Sequence, residues 1–368
     1  MLRLFGFTFA AIMLLMIEWA FVLEKLLLIT IILLGSLGVA MYATWGERKV
    51  AAVMQDRVGP NRAGPFGLFQ PLADGVKLFM KEEIVPDSST RTLFILGPGL
   101  AMLTATMTSA ILPWGPDYVT EAGRVISLQV ADINIGILYL FGVVSLGVYG
   151  VMLGGWASNN KFSLLSSVRA ASQAISYELA MGLSLIALLM LTGSLSLRDI
   201  VAQQHGFWQD GYFTWNFFKQ PLGFAIFFIC ATAELNRAPF DLAEAENELN
   251  MGYHQEYSSM KLGFYLFAEY INLFISSAFL ATLYFGGYNF PFMDNVAASV
   301  PQWVFVAICV LVLLAKTIGF VLFFMAIRWT LPRFRYDQLM NLGWKKLIPL
   351  ALINMLITGA IILFFFNK

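Results

Sequence analysis

Charge is scarce in this chain. Of its 368 residues, 12% are Asp, Glu, Lys or Arg and 59% are hydrophobic. A soluble domain carries about twice that charged share, so the composition excludes an ordinary water-solvated globule. Formal net charge is zero, and with no basic excess nothing points to nucleic acid. Cysteine and histidine are nearly absent. Cys230 and Cys309 sit in separate apolar runs, and His205 and His254 are the only histidines, so no metal-ligand or redox spacing exists. Gly-rich dinucleotide fingerprints and phosphate loops are missing too. The chain is therefore expected to bind no metal and to hold no redox centre of its own. No internal repeat and no Pro/Ser-rich linker divides it.

Long apolar runs are what the chain has instead. A hydrocarbon core about 30 Å thick takes roughly 20 apolar residues per helical span. The runs predict an all-α polytopic membrane protein of about eight transmembrane helices: 26–45, 92–111, 133–153, 171–192, 221–234, 260–284, 303–329 and 347–366. The fifth is short before its first charge, and either continues past Glu234 or ends in protein rather than lipid. Residues 1–25 read as an N-terminal lead-in, interfacial or partly inserted. A cleaved signal peptide is disfavoured, because Glu18, Glu24 and Lys25 stand where small residues would mark a cleavage site. Residues 26–368 read as one membrane domain.

Cations fix the orientation. The odd-numbered loops carry fifteen Lys and Arg, among them Arg48, Arg57, Arg169, Arg237, Arg328 and Lys345, whereas the even loops hold Arg124, Arg198 and Lys219. Odd loops are thus predicted to be cytoplasmic. Nearly every unusual polar motif lies in them, so one chemically rich face is expected to dock a soluble partner; the plainer reading is a solvated face.

The first loop contains GERKVAAVMQDRVGPNRAGPFGLFQ, residues 46–70. Its two Gly-Pro pairs dictate tight turns. Pro71 then opens a helix at its first turn. Asp74, Lys77 and Lys81 fall on one helical face and Leu72, Val76 and Phe79 on the other, which predicts an amphipathic helix lying in the interface plane. Glu47, Arg48 and Lys49 meet the end of the first span. Interfacial anchoring explains most such clusters, but three consecutive charges point in different directions, so at least one is expected to face the bundle.

An ionisable group inside a span is costly and is by default a functional candidate. Glu178 is placed about eight residues into the fourth span and Glu269 about nine into the sixth, roughly 12 and 14 Å deep at 1.5 Å per residue. Glu234 closes the fifth span, and Lys316 lies near the middle of the seventh. The fifth loop, AELNRAPFDLAEAENELNMGYHQEYSSMK, sets Arg237 against Glu234, Asp241, Glu244, Glu246, Glu248 and Glu256. Pro239 and Asp241 predict a helix start, with Asp241 as N-cap and Glu244 as its capping partner. In that helix Asp241, Glu244 and Glu248 share a face and Glu246 lies opposite. Like charges so close do not all ionise cheaply, so raised carboxyl pKa values are expected there. Phe240, Leu242, Leu249 and Tyr253 favour burial over a solvated acidic loop.

Together GERK, RVGPNRAGPFGLFQPLADGVKLFMKE, ISYELA, AELNRAPFDLAEAENEL, EYSSMK and PRFRYDQLM resemble the quinone-site membrane subunit family of NADH-quinone oxidoreductase, respiratory complex I. The likeness runs from about residue 26 to about 365. It implies a multi-pass subunit of the bacterial inner membrane that binds quinone as substrate and couples its reduction to proton pumping. FMN and iron–sulfur clusters would reside in partner subunits of the hydrophilic arm, and membrane-sector subunits A, J, K, L, M and N, with lipid, would be its neighbours. By position, the resemblance implies quinone-channel or interface roles for Glu47, Arg48, Arg57, Asp74 and Arg328. It implies a proton path through Glu178, Glu234, Asp241, Glu244, Glu246, Glu248, Glu269 and Lys316. Membrane-bound hydrogenases carry a similar subunit and supply the alternative assignment. A stand-alone ion transporter is weakened by the lack of an inverted repeat, and a pure scaffold leaves Glu178, Glu269 and Lys316 unexplained. Three features depart from the family pattern: the extra N-terminal residues, the aromatic outer loop GFWQDGYFTWNFFKQ, and Asn250 with Met251.

Overall fold

The computed structural model describes residues 2–120, 123–206, 208–209 and 212–366, without the side chains of 2–18, 20, 208, 209, 212, 246, 365 and 366. Within them the chain is all-α. Helices α1 (Leu2–Met54), α2 (Gln70–Met80), α3 (Arg91–Thr108), α4 (Gly136–Ala157) and α5 (Lys161–Thr192) come first. The short α6 (Leu197–Gln203) and α7 (Asn216–Lys219) precede α8 (Pro221–Glu234) and α9 (Glu246–Leu249). Then follow α10 (Ser259–Tyr284), α11 (Met293–Ser299), α12 (Gln302–Thr330), α13 (Tyr336–Asn341) and α14 (Ile348–Ile361). Two antiparallel pairs of two-residue strands, β1 (Tyr118–Val119) with β2 (Val125–Ile126) and β3 (Trp208–Gln209) with β4 (Tyr212–Phe213), decorate one end.

Among the described residues, seven helical stretches are long and apolar enough to cross a membrane: Phe21–Met54, α3 with its terminal turn, α4, α5, α10, α12 and the run Tyr336–Phe364. The eighth apolar helix, α8, has 14 residues and spans about 21 Å, less than a hydrocarbon core. Protein covers the rest. Leu235, Arg237, Phe240, Leu242 and Ala243 beyond its end are all buried. The most enclosed helix is α10, which packs among α1, α3 and α12. Where α3 meets α4, small residues set the spacing: a Cβ at Gly150 would lie 2.8 Å from the Ala101 nitrogen, and one at Gly97 2.9 Å from Gly154 Cα. Close backbone approach of this kind is how helices associate where lipid gives no hydrophobic drive.

Two sequence expectations give way here. The fourth span was placed from Ala171, but α5 begins ten residues earlier, where Asn160 Oδ1 accepts the Phe162 N–H at 3.0 Å and caps it. Ser163, Ser166 and Ser167 on this added stretch are buried against protein, not lipid. Glu178 is consequently a mid-helix residue, about 26 Å from the start of α5. The helix expected from Asp241 does not form either; of this loop only Glu246–Leu249 is α-helical. Its carbonyls are engaged from outside. Gln173 Nε2 donates to the Ala233 and Phe240 carbonyls at 2.7 and 2.9 Å, the Phe334 N–H to Pro239 at 3.0 Å, and Ser166 Oγ to Ala243. A backbone satisfied this way has no further need of an internal helical ladder.

The loops segregate. Thr90 N–H donates to the Ala157 carbonyl, Ser259 Oγ to Leu78, Asn160 to Glu256 and Arg333 to Asp241. These bonds tie together every loop of the cation-rich end. At the opposite end Arg198 joins Asp117 and Asp132, Lys25 donates to the Gln129 carbonyl at 2.8 Å, and Arg124 pairs with Glu24. Helix α2 lies at the cation-rich end as expected, Pro71 within its first turn and Leu72, Val76 and Phe79 exposed.

Candidate functional site

Arg237 sits at the heart of the cation-rich end, in the loop just after α8. Its Nε donates to Glu269 Oε1 of α10 at 2.6 Å, and its Nη1 to Glu47 Oε2 of α1 at 3.1 Å. The guanidinium lies over the Tyr270 ring, 4.3 Å from its centre. Tyr270 OH donates to Glu47 Oε2 at 2.8 Å, and Arg328 Nη1, near the end of α12, donates to Glu47 Oε1. Five charged or polar groups from three spans and one loop thus meet with little water. Arg237 is 5% exposed. Burial opposes its charge, but Glu269 and Glu47 prevail and hold the guanidinium more firmly protonated than usual. Its Nη2 has no hydrogen-bond partner.

Beside this cluster lies a cavity of about 90 Å³, room for several water molecules. Glu234, Glu244 and Glu269 line it, with Asn236, Tyr253, Tyr265 and Asn272. A second cavity of about 50 Å³ shares Glu234, Thr108 and Asn272 with the first, but its other walls include Phe141, Phe227 and Phe279. Glu234 therefore marks the point where polar lining passes into apolar lining. Glu178 acts on it electrostatically from α5, and accepts a hydrogen bond from Ser145 Oγ of α4.

The loop acids follow their surroundings. Burial raises the Glu244 carboxyl well above its ordinary value; Glu269 and Asp241 push the same way, against Arg328 and Arg237. Asp241 is also raised, by burial, despite Arg333 and Arg328. Its Oδ2 accepts from Arg333 Nη2 at 2.8 Å, while Oδ1 is buried without a partner. Raised values were expected from crowding of like charges, and desolvation is the larger cause.

Not all the sequence candidates converge. Glu47, Glu234, Glu244, Glu269 and Arg328 belong to the cluster or its cavity, and Glu178 and the Arg333-paired Asp241 adjoin it. Glu248 is exposed on the surface and pairs with Arg169 at 2.7 Å. The side chain of Glu246 falls outside what the structure describes. Lys316 lies at the middle of α12, apart from the cluster. Its Nζ donates to the Phe285, Gly287 and Asn289 carbonyls at 2.7, 2.8 and 2.5 Å, just past the C-terminus of α10. Along α10, Glu269 and Tyr284 are about 22 Å apart. Arg48 pairs with Asp74 at 2.9 Å on the exposed side of α2, and Arg57 donates to Gln55 at 2.7 Å.

Sequence reasoning gave Arg237 a place only as the lone cation of an acidic loop, and did not single out Tyr270 or Arg333. The composition of that loop was the available signal for Arg237, since several carboxylates around one guanidinium leave it the natural hub. For Tyr270 and Arg333 no sequence signal exists; only the packing of α10 and the segment after α12 brings them in.

The NADH dehydrogenase family model matches residues 26–359. Similar proteins include an H subunit of NADH-quinone oxidoreductase from Cytophaga hutchinsonii, 60% identical over 345 residues, covering 94% of this chain and 98% of the relative. The H subunit of the Flavobacterium johnsoniae enzyme is 59% identical over 350 residues, covering 94% and 97%. That of Thermomicrobium roseum is 48% identical over 347 residues, again covering 94% and 97%.

Proposed function

The chain belongs to the NADH dehydrogenase family, as a membrane subunit of the NADH-quinone oxidoreductase type, and from that premise we propose that it binds quinone and couples quinone reduction to proton translocation. One observation carries the reading: carboxyls from α8, α10 and the loop between them converge on an enclosed cavity whose wall is shared with the Glu47–Arg237–Arg328 cluster through Glu269.

Quinone would approach from the cation-rich end, where Arg48, Arg57 and Asp74 lie exposed and Glu47 and Arg328 stand behind them. Electrons would arrive from the FMN and iron–sulfur clusters of partner subunits docked on that face, α2 forming part of the docking surface. The remaining membrane subunits would pack against the exposed apolar faces of the spans, in a bacterial inner membrane with the cation-rich end toward the cytoplasm.

Quinone reduction consumes protons and alters the charge beside Glu47 and Arg328. Arg237 bridges Glu47 to Glu269, so a change at one carboxylate alters the field at the other. Glu269 and Glu244 face the same cavity as Glu234, and Glu234 interacts with Glu178. Protons would redistribute along Glu269, Glu244, Glu234 and Glu178, biasing the conformation of neighbouring subunits. Arg237 serves as the shared counter-charge of Glu47 and Glu269.

The test is Glu178→Gln and Glu234→Gln in the assembled complex in sealed vesicles. NADH oxidation by an artificial acceptor that bypasses quinone should be unchanged. Quinone-coupled proton uptake should fall about ten-fold or more, the scale of losing a positioned proton-transfer group. Full quinone-coupled pumping in both variants would refute the relay.

A further inference from the structure

His254 is buried, at 6% exposure, and belongs to none of the groups used so far. It ends the 3₁₀ turn Gly252–His254, between the acidic loop and α10. Its Nδ1 has no hydrogen-bond partner and points toward Glu244 Oε1, 3.9 Å away. Adjacent Tyr253, whose ring meets the imidazole edge-on, lines the same cavity as Glu244.

The placement is built, not incidental. Gly252 has φ 73°, and a Cβ there would lie 1.9 Å from the Ala243 carbonyl oxygen, so only glycine lets the turn press against the residue preceding Glu244. Ser166 Oγ donates to that same carbonyl. On the other side the His254 carbonyl accepts the Tyr257 N–H at 3.0 Å. Tyr257 stacks on Phe94 at 4.1 Å and donates to the Gly154 carbonyl of α4 at 3.1 Å. Imidazole and carboxyl are thus held from both sides, about 1 Å beyond hydrogen-bond range.

We propose that His254 is the proton-exchange partner of Glu244, carrying protons between the enclosed acids and the extramembrane loops; this rests on the proton-coupling role proposed above. The step balances without a further reactant. The Glu244 O–H bond breaks, an N–H bond forms at His254 Nδ1, and a neutral pair becomes carboxylate and imidazolium. Burial favours the neutral imidazole, with Glu269 opposing, and favours the neutral carboxyl with Glu269 and Asp241 assisting. Burial thus opposes charge on both partners, which share one transferable proton. Arg328 and Arg237, which favour ionised Glu244, lower the cost of the charged state.

The experiment uses the assembled complex in sealed vesicles, with His254→Gln and His254→Asn measured beside Glu244→Gln. Oxidation of NADH by the bypassing acceptor reports assembly, and Gln, which keeps a polar amide without exchanging protons near neutrality, guards against a purely structural loss. Expected is a fall in coupled turnover of about ten-fold in both His254 variants, with one ionisation missing from the pH–rate profile. In the double variant His254→Gln/Glu244→Gln the loss should be no larger than in Glu244→Gln alone, as for two groups acting as a unit. Parental rates and profiles in both His254 variants, with Glu244→Gln impaired, would overturn the His254 assignment alone. Parental behaviour in all three would remove the acid path with it.

Discussion

The two ends of the bundle both bury polar groups, yet they do so in opposite ways. Toward the strand-bearing end Gln204, Asn289 and Lys316 are each closed off by backbone partners, and the buried atoms left without one there, Trp114 Nε1, Thr120 Oγ1, Gln129 Oε1 and Tyr284 OH, belong to uncharged side chains. Gln204 Nε2 donates to the Ile200, Thr282 and Leu283 carbonyls, while its Oε1 accepts from the Asn216 and Gly286 N–H groups. Asn289 Nδ2 reaches the Val201 carbonyl at 2.7 Å, and Lys316 reaches three carbonyls. At the cation-rich end carboxyls share cations, Asp241 Oδ1, Arg237 Nη2 and His254 Nδ1 lack partners, and a cavity lies open between them. A satisfied network fixes geometry, whereas ionisable groups short of partners in a low dielectric depend for their charge on what surrounds them.

Arg237→Met should have the largest effect. It leaves Glu47 and Glu269 buried without their shared counter-charge, and breaking a buried pair in this way costs about 3–5 kcal/mol. A steep fall in assembled complex, or in its melting temperature in mild detergent, is the measurement. A stable Arg237→Met complex that still couples would show the cluster to be better solvated than its burial implies.

Lys316→Met comes next, and it bears directly on the contrast. Three charge-assisted bonds to the end of α10 are lost, while the charge that had to be buried goes too, so the expected net cost is about 2 kcal/mol. Quinone-coupled pumping per assembled complex should be kept. Lost pumping at parental stability would return Lys316 to the proton path that the resemblance implied.

Arg198→Ala should matter less. Its side chain is 39% exposed between Asp117 and Asp132, and ion pairs open to water contribute up to about 1 kcal/mol. Melting should shift by a degree or two at most, about the scale expected for a chain of this size, and less at high salt.

How far the sequence reaches follows the same divide. Apolar runs located the spans because lipid demands them, and α8 could be read to its last residue because Pro221 and Glu234 bound it. Burial of one charge in the GERK segment was legible, since consecutive helical residues diverge, and Glu47 is the one that turns inward. The conformation of the 240s segment was not legible. Its local signals spelled a capped helix at Asp241, but Gln173, Ser166 and Phe334 claim the carbonyls from distant parts of the chain. Depth was equally hidden for Glu178: apolar content dates a span from where lipid begins, and α5 continues beyond that point on buried serines. Lys316 is the mid-span charge the sequence indicated, and what was not legible is that the turn after α10 folds back onto α12 and gives it three carbonyl partners.

Glu244→Gln should leave stability unchanged at acid pH, and the sign of its effect above that separates the two ends most finely. Burial raises the Glu244 carboxyl, so the folded protein keeps this proton after the unfolded chain has released it. The stability this group contributes is full below the ordinary carboxyl value, and is lost as pH climbs from there through the raised one. Glutamine cannot titrate, so the variant should equal the parent near about pH 5 and overtake it toward about pH 8. The gain should grow steadily as pH rises over that interval. Thermal melts of parent and variant complexes across that range are the measurement. An outer-end change such as Arg198→Ala should show no crossing over the same interval, because a guanidinium stays charged throughout it. A variant that loses ground to the parent as pH rises would mean that Glu244 is stabilised as a carboxylate, and the cavity would then hold fixed charge where exchangeable protons are required.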